Sequence, residues 1–397
     1  MRWSWVGAAF SVLSLFTAIG LVFGPGEQVA VASGASPWAE KVNDARRAPA
    51  AIHGEPALSG RQGLTQAEDR ERGDIGRDET EPASDYDFLH NFPGPGKSIF
   101  GVNTLTGGSE EVAVFADAAT VHPNLLLVPV GWGRDPWHEW LVANVTQRGM
   151  MPMLSWEPWE PAGGDRGVRE HQPRFALSTI LVGDHDEYID EWAHGLAEWG
   201  HPVMMRFAHE MNGTWYPWAE GRNGNREGEY RAAWRYVHDR FAAAGAVNVQ
   251  WVWSPNITFA GAPPLERFYP GDDYVDLLGV VGYFGHLRAE PTSYPSFEDL
   301  FGATLAELRA LSDKSIVITE TGATEWGGFK PAWIDGFFDG LERHPEVIGF
   351  IWFEIDKETD WRIVSSPAAT AAFAARISAD PRYDLSVPPT PGVALNR

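Results

Sequence analysis

Eight compact apolar runs recur along this chain, each of single-strand length and each ending in polar, aromatic or glycine residues. They cover residues 98–105, 125–131, 151–156, 202–207, 249–253, 277–283, 316–319 and 347–352. Amphipathic helical patterns lie between or after them, at 137–148, 186–199, 227–244, 297–311, 332–343 and 368–377. Alternating strands and helices predict an α/β protein with a parallel sheet. Because no Gly-x-Gly-x-x-Gly follows the first run, a closed (β/α)8 TIM barrel is favoured over an open doubly wound sheet.

The first 84 residues differ from this pattern. Arg2 precedes an apolar run from Trp3 to Phe23, and Ala30-Val31-Ala32 provides a small-x-small cleavage site, which is the layout of a signal peptide. The run is also long enough for an uncleaved membrane anchor. Residues 36–84 mix small residues and charges of both signs without an apolar period. We therefore expect a signal peptide or anchor at 1–35, a disordered linker at 36–84, the barrel at 85–385 and a disordered tail at 386–397.

Charge and cysteine content exclude several classes of function. The formal net charge of -23 argues against nucleic acid as a partner, because phosphate binding needs a concentrated basic surface. The chain has no cysteine, which excludes disulfides, thiolate nucleophiles and Cys-ligated metals. Its 19 tryptophans suit both packing and stacking on sugars. We expect a secreted or extracytoplasmic monomer without a cofactor or bound metal, which contacts a membrane only if its N-terminal segment is uncleaved.

Two glutamates occur where apolar runs give way to polar residues. Glu210 follows the fourth run and Glu320 the seventh. A carboxylate directly after a buried strand is costly to desolvate unless it is paired or used. Strands four and seven lie on opposite sides of a barrel mouth, so the two carboxyls can face each other across a sugar, as acetal hydrolysis requires. Structural ion pairs are the alternative for each, and Glu157 and Glu354, which also end runs, are rival carboxylates.

A zinc peptidase is a weaker interpretation of the same segment. His209-Glu210 begins like the motif HExxH, but the position of its second histidine is Gly213. The segment also reads as the end of a strand, whereas that motif lies on a helix. The sequence therefore does not predict a metal site here.

The residues around Glu210 resemble glycoside hydrolase family 26. The block Arg206-Phe207-Ala208-His209-Glu210-Met211-Asn212-Gly213 precedes Trp215-Tyr216-Pro217-Trp218, and that family carries its acid/base glutamate directly behind a histidine. A second similar block, 269–276, leads into Gly282-Tyr283. Glu320-Thr321-Gly322 matches the position of the nucleophile, although many mannanases of the family read Ser-Glu-Phe-Gly there. This departure bears on the substrate rather than on the chemistry.

The resemblance covers roughly residues 99–365 and implies an activity. It implies a retaining, endo-acting β-glycoside hydrolase that cleaves β-1,4-mannan or mixed-linkage β-glucan by double displacement. Glu210 is then the acid/base and Glu320 the nucleophile, with Tyr283 hydrogen-bonded to the nucleophile and Trp352 as an aromatic floor beneath the sugar. The alternative is a catalytically silent carbohydrate-binding or exopolysaccharide-export accessory protein on the same barrel.

Further side chains are expected to bind the substrate. Strand alternation places Arg206, Ala208 and Glu210 on one face, so that Arg206 lies beneath the carboxyls and favours ionised Glu320, unless it forms an ion pair of the barrel core. His209 either contacts the sugar or the nucleophile or is structural. The expected aromatic walls near the acid/base come from four indoles, with one of the last two as a sugar platform: Trp156, Trp159, Trp215 and Trp218.

Overall fold

A closed barrel of eight parallel strands, hydrogen-bonded in chain order with β1 beside β8, confirms the predicted fold. The structure is a computed structural model that describes residues 87–161, 171–285 and 293–384. Its strands are β1 (Ile99–Thr104), β2 (Leu125–Gly131), β3 (Met151–Glu157), β4 (Val203–Phe207), β5 (Val249–Trp253), β6 (Leu277–Phe284), β7 (Ile316–Ala323) and β8 (Val347–Glu354). Each predicted apolar run corresponds to one of them.

Helices surround the barrel. They are α1 (Asp87–His90), α2 (Ser109–Ala119), α3 (Glu139–Thr146), α4 (Leu177–Leu181), α5 (Asp186–Trp199), α6 (Glu229–Ala243), α7 (Ala303–Leu311), α8 (Lys330–Arg343) and α9 (Pro367–Ala379). The helices α1, α2 and α4 were not predicted from the sequence. A π-helical turn, Glu298–Gly302, replaces the start of the helix predicted at 297–311. Between β5 and β6, where every residue is described, two 3-10 turns replace a crossover helix.

The predicted segments at the two ends of the chain lie outside the described residues. This holds for the signal peptide or anchor, the linker and the tail. Among the described residues, no helix is both long and apolar enough to cross a membrane.

The barrel interior has an apolar layer beneath a polar one. The apolar layer is a cluster separate from the main core, and its buried members are Leu89, Ile99, Leu125, Leu127, Met151, Met153, Met204, Val252, Val317 and Ile351. Because side chains alternate along a strand, the next inward positions toward the strand ends include Ser155 on β3, Arg206 on β4, Ser254 after β5 and Thr319 on β7. All four are buried. The polar layer therefore lies directly below the mouth of the barrel.

Barrel closure depends on a close approach of β1 and β8 at Gly349. This residue pairs with Ile99 and has a φ of 153°, and a Cβ atom added there would lie 2.1 Å from the carbonyl oxygen of Ile99. Since that obstacle is backbone, Gly349→Ala should lower the free energy of unfolding by about 2–4 kcal/mol, measured by urea denaturation. Gly336→Ala on α8 is the matched control, because nothing lies within 4 Å of its added Cβ. Gly336→Ala should leave the free energy of unfolding unchanged or raise it by up to ~1 kcal/mol. An equal decrease in both variants would contradict the role given to Gly349.

Candidate active site

Glu320 lies inside β7 rather than after it, because the strand continues to Ala323. The register of β7 against β6 shifts by one residue between Ile318 and Glu320, and its register against β8 is also irregular here. An extra residue in one strand bends it locally and changes the direction of the side chains that follow. Directly after this bulge, the Glu320 side chain contacts Arg206 on β4 and Tyr283 on β6.

Both carboxylate oxygens of Glu320 accept hydrogen bonds. Arg206 donates from Nη1 to Oε1 at 2.6 Å, and the Tyr283 hydroxyl donates to Oε2 at 2.6 Å. The guanidinium is fully buried, so it brings an unscreened positive charge to the carboxylate. The structure thus places Arg206 where the sequence predicted it, in contact with Glu320. The Tyr283 contact implied by the family resemblance is also present.

Two serines hold Arg206 in place. Its Nε donates to Ser254 Oγ at 3.0 Å and its Nη1 to Ser155 Oγ at 2.9 Å. Neither serine was selected from the sequence, although each occupies an inward position near a strand end. Because the guanidinium is fixed by groups on β3 and after β5, the orientation of the Glu320 carboxylate is fixed through it.

His209 supports this layer from the β4 end. Its Nδ1 lies 3.2 Å from Ser155 Oγ and its Nε2 lies 3.1 Å from the Tyr216 hydroxyl, so both ring nitrogens have protein partners. Burial, and then the charge of Arg206, hold the pKa of His209 well below its usual range, so the ring is neutral. The structural interpretation of His209 therefore fits better than direct contact with the nucleophile.

The backbone leaves the extended conformation immediately after β4. Ala208 and Glu210 have φ values of 42° and 54°, which non-glycine residues rarely adopt. The amide of Glu210 donates to the Ser254 carbonyl at 2.8 Å, which ties this turn to the end of β5. The predicted alternation through Arg206, Ala208 and Glu210 is therefore wrong beyond Phe207. Such strain at a single carboxyl-bearing position is typical of functional sites.

The Glu210 carboxyl is buried and has two donors. Trp215 Nε1 donates to Oε2 at 2.8 Å and Asn256 Nδ2 to Oε1 at 2.5 Å. Burial raises the pKa of Glu210, the negative charge of Glu320 raises it further, and the two hydrogen bonds partly oppose this. Glu210 therefore retains its proton to higher pH than an ordinary glutamate. Two carboxyls in such different surroundings can divide acid and nucleophile roles.

Asn256 was not selected from the sequence. Its backbone N–H donates to Asn212 Oδ1 at 2.8 Å, and Asn212 Nδ2 donates to the backbone carbonyl of Asn256 at 2.8 Å. This reciprocal pair positions the side chain that donates to Glu210. The available signal was a polar residue just beyond an apolar run, the same criterion that selected Glu210.

Two of the predicted substrate-binding tryptophans lie on the outside of the barrel. Trp156 packs against Trp192 and Phe241, and Trp352 against Trp333 and Phe373, all on surrounding helices. Both indoles are fully buried. The predictions of Trp156 as an aromatic wall and Trp352 as a sugar floor are therefore wrong, because an error of one residue in strand phase places a side chain on the opposite face.

The neighbouring residue on β8 faces the mouth. Phe353 is half-buried and lies edge-to-face against Tyr283, with ring centroids 5.6 Å apart. Lys357 Nζ lies 5.9 Å from the centroid of the Phe353 ring. Phe353, which the sequence analysis did not select, occupies the place expected for Trp352.

The two tryptophans after Glu210 differ in exposure. Trp215 is 40% exposed and lies at the mouth. Trp218 is fully buried, donates from Nε1 to the His209 carbonyl at 2.7 Å and stacks on Tyr216 with centroids 4.2 Å apart. Its predicted alternative role as a sugar platform is corrected to support of the His209 turn. Trp215 is the only one of the two that presents a surface to a ligand.

The rival carboxyls have hydrogen-bond partners different from those of this pair. Glu354 accepts from the amide of Ile363 at 2.8 Å, and burial raises its pKa to about 7. Glu157 accepts from Trp159 Nε1 at 2.7 Å, and neither Arg206 nor Tyr283 forms a hydrogen bond with it. Within residues 87–161, 171–285 and 293–384, no group of three or more His, Asp or Glu side chains is arranged to hold a metal ion.

The hydrogen bonds to Glu210 predict a shift in pH dependence. Activity that needs the Glu210 proton is lost as pH rises through its pKa, and both donors stabilise the carboxylate. Asn256→Ala and Trp215→Phe should therefore move the basic limb of the kcat/KM profile to higher pH. Each should also lower the maximum about ten- to a hundredfold, the scale of a hydrogen bond to a charged group. Trp140→Phe, on an indole that is 69% exposed on α3, should change neither. A basic limb that moves to lower pH would contradict this.

Comparison with known proteins finds a family model that matches part of the chain, including Glu210 and Glu320. Residues 170–344 match the model of glycosyl hydrolase family 26. The chain is 34% identical to endoglucanase H of Acetivibrio thermocellus over 63% of its own length and 27% of that protein. It is 34% identical to a mannan endo-1,4-beta-mannosidase of Bacillus subtilis over 27% of its length and 31% of the relative. The chain thus spans about a third or less of either relative.

A solved structure shares the fold. The catalytic domain of a family 26 endo-beta-1,4-mannanase from Bacillus sp. JAMB-750 superposes with a TM-score of 0.55 at 23% identity. The superposition covers 75% of this chain and 90% of that domain. At this identity the likeness concerns the barrel architecture.

Proposed function

We propose that this chain, in which residues 170–344 match the model of glycosyl hydrolase family 26, is a retaining, endo-acting β-glycoside hydrolase. The observation that carries the proposal is the unequal environment of two carboxyls at one barrel mouth. Glu320 is held by the Arg206 guanidinium and the Tyr283 hydroxyl. Glu210 is buried with a raised pKa. Double displacement needs one ionised nucleophile and one protonated acid.

In the proposed reaction, Glu320 attacks the anomeric carbon while Glu210 donates its proton to the departing glycosidic oxygen. A covalent glycosyl–Glu320 ester forms and the leaving sugar departs. Glu210, now ionised, takes a proton from water, which attacks the same carbon and releases Glu320 with net retention. Arg206 and Tyr283 would stabilise the carboxylate at the start and the end of this cycle. In the intermediate Glu320 is an uncharged ester. The repulsion that raises the pKa of Glu210 is then removed, which favours the ionised Glu210 that the second step needs.

We propose a β-linked glucan as the first substrate to test and β-1,4-mannan as the second. The longer of the two sequence matches is to an endoglucanase, and the shorter is to a mannosidase. The protein is also proposed to act outside the cytoplasm as a monomer, secreted or held by its N-terminal segment. The apolar run after Arg2 and the following small residues support this.

A turnover panel tests the proposal. Purified full-length protein is incubated with lichenan, barley β-glucan, mannan and curdlan, and reducing ends and viscosity are followed together. A fast loss of viscosity relative to new reducing ends is expected on one or two substrates. A Glu210→Ala/Glu320→Ala double variant controls for contaminating enzymes. Binding without turnover on every substrate would instead favour the catalytically silent accessory protein.

A further inference from the structure

A third carboxyl, Glu157, faces the same mouth. It ends β3, where its carbonyl accepts from the amides of Trp132 at 3.0 Å and Trp159 at 2.8 Å. Inward and outward side chains alternate along β3, with Ser155 inward and Trp156 outward. Glu157 is therefore the next inward position, one step nearer the mouth than the serine that holds Arg206.

Among the described residues, a donor is present for one of the two Glu157 carboxyl oxygens. Trp159 Nε1 donates to Oε2 at 2.7 Å. Edge-to-face contacts with Tyr216 and Trp218, each at 5.7 Å between centroids, fix the indole that donates. In the described part of the chain, no side chain or amide donates to Oε1, and the residue keeps 9% of its surface exposed. A carboxyl so nearly buried and only half satisfied is costly in the free protein, and burial raises its pKa to about 7.

The position of Glu157 around the barrel separates it from the acid/base side. The partners of Glu210 lie toward β5, where Asn256 donates to it and Trp215 packs against Phe259 with centroids 6.3 Å apart. β3 lies on the other flank of β4. The charges that act on Glu157 include those of Arg206 and Glu320. The leaving sugar must sit beside the acid, so Glu157 lies toward the sugar that is transferred to the nucleophile.

We propose that Glu157 is a glycone-binding residue whose open oxygen accepts hydrogen bonds from sugar hydroxyl groups on the nucleophile side of the cleavage point. This rests on the proposed function and adds a specificity determinant to it. Sugar hydroxyls are donors, and a carboxylate with one oxygen held and one free is pre-oriented to accept from them. A glycone that lacks the matching hydroxyl leaves the buried oxygen unpaired and is rejected.

The test couples the side chain to single hydroxyls of the substrate. Wild type, Glu157→Ala and Glu157→Gln are assayed on an activated aryl β-cellobioside or β-mannobioside, chosen by wild-type turnover. Each is also assayed on analogues that lack one glycone hydroxyl. Glu160→Ala is the matched control, because Glu160 is an exposed carboxyl three residues further along the same segment.

Glu157→Ala should lower kcat/KM on the complete substrate about a hundredfold, with Glu160→Ala unchanged. For wild type, kcat/KM should be about a hundredfold lower on at least one analogue than on the complete substrate. For Glu157→Ala, kcat/KM should be the same on that analogue and on the complete substrate. Equal penalties in wild type and Glu157→Ala for every analogue would overturn the proposal. If Glu157→Ala does not fold, judged by near-UV circular dichroism, the isosteric Glu157→Gln carries the same comparison.

The two possible failures are distinguishable. Absence of wild-type turnover on all complete substrates contradicts the proposed function itself. Turnover by wild type without any coupling between a hydroxyl and position 157 contradicts only the glycone-binding role.

Discussion

Glu320→Ala is expected to abolish turnover of polysaccharide and of activated aryl glycosides alike. The nucleophile is needed for any glycosyl-enzyme to form, so a better leaving group cannot compensate for its loss. The decrease in kcat should be roughly 10⁴-fold or more, the scale seen when covalent nucleophiles are removed from other enzymes. Rates on both substrate types under identical conditions provide the measurement.

Azide gives this prediction a stereochemical readout. In Glu320→Ala the space left by the side chain admits a small anion, which can displace an activated leaving group directly. The glycosyl azide formed should therefore have inverted configuration. Glu354→Ala is a suitable control, because Glu354 is held by the Ile363 amide and has no contact with Arg206. If Glu320→Ala stays active while Glu157→Ala shows this pattern, the nucleophile is misassigned.

Glu210→Ala is expected to show a loss that depends on the leaving group. The acid helps only when the departing oxygen is a poor leaving group, so turnover of polysaccharide should fall about 10²- to 10⁴-fold. An activated aryl glycoside should retain a fast first step, visible as a burst of released phenol, followed by slow hydrolysis of the intermediate. Pre-steady-state kinetics measure both phases.

Azide should accelerate the second step of Glu210→Ala, because it needs no general base. The product should keep the configuration of the substrate, since azide then attacks a covalent intermediate. The opposite outcomes expected for the two variants separate their roles. Identical responses of both variants to the leaving group would contradict the assignment.

The fold was predictable because the strands are continuous apolar runs, and buried parallel strands have that pattern. The same continuity left undetermined which residues of each strand point into the barrel and which point toward the helices. Trp156 and Trp352 sit in runs that are apolar on both faces, so no alternation showed that they point toward the helices. In β3, the two polar residues Ser155 and Glu157 indicate which positions point inward.

Other parts of the site depend on backbone features without a residue signature. Ala208 and Glu210 adopt positive φ although their residue types usually avoid it, and a bulge in β7 precedes Glu320. Tertiary contacts impose both, so strict alternation failed beyond Phe207. Asn256 was a different case, because its signal, a polar residue after an apolar run, is present in the sequence.

Trapping the glycosyl-enzyme intermediate identifies the nucleophile directly. Wild-type protein is incubated with an activated 2-fluoro aryl glycoside of the sugar it hydrolyses, since the fluorine slows both steps and the activated leaving group keeps the first step faster than the second. Peptide mass spectrometry then locates the label. We expect one glycosyl group per chain, attached to Glu320, with activity returning as the ester hydrolyses. A label on Glu157 or Glu210, or inactivation without a covalent adduct, would contradict a double displacement through Glu320.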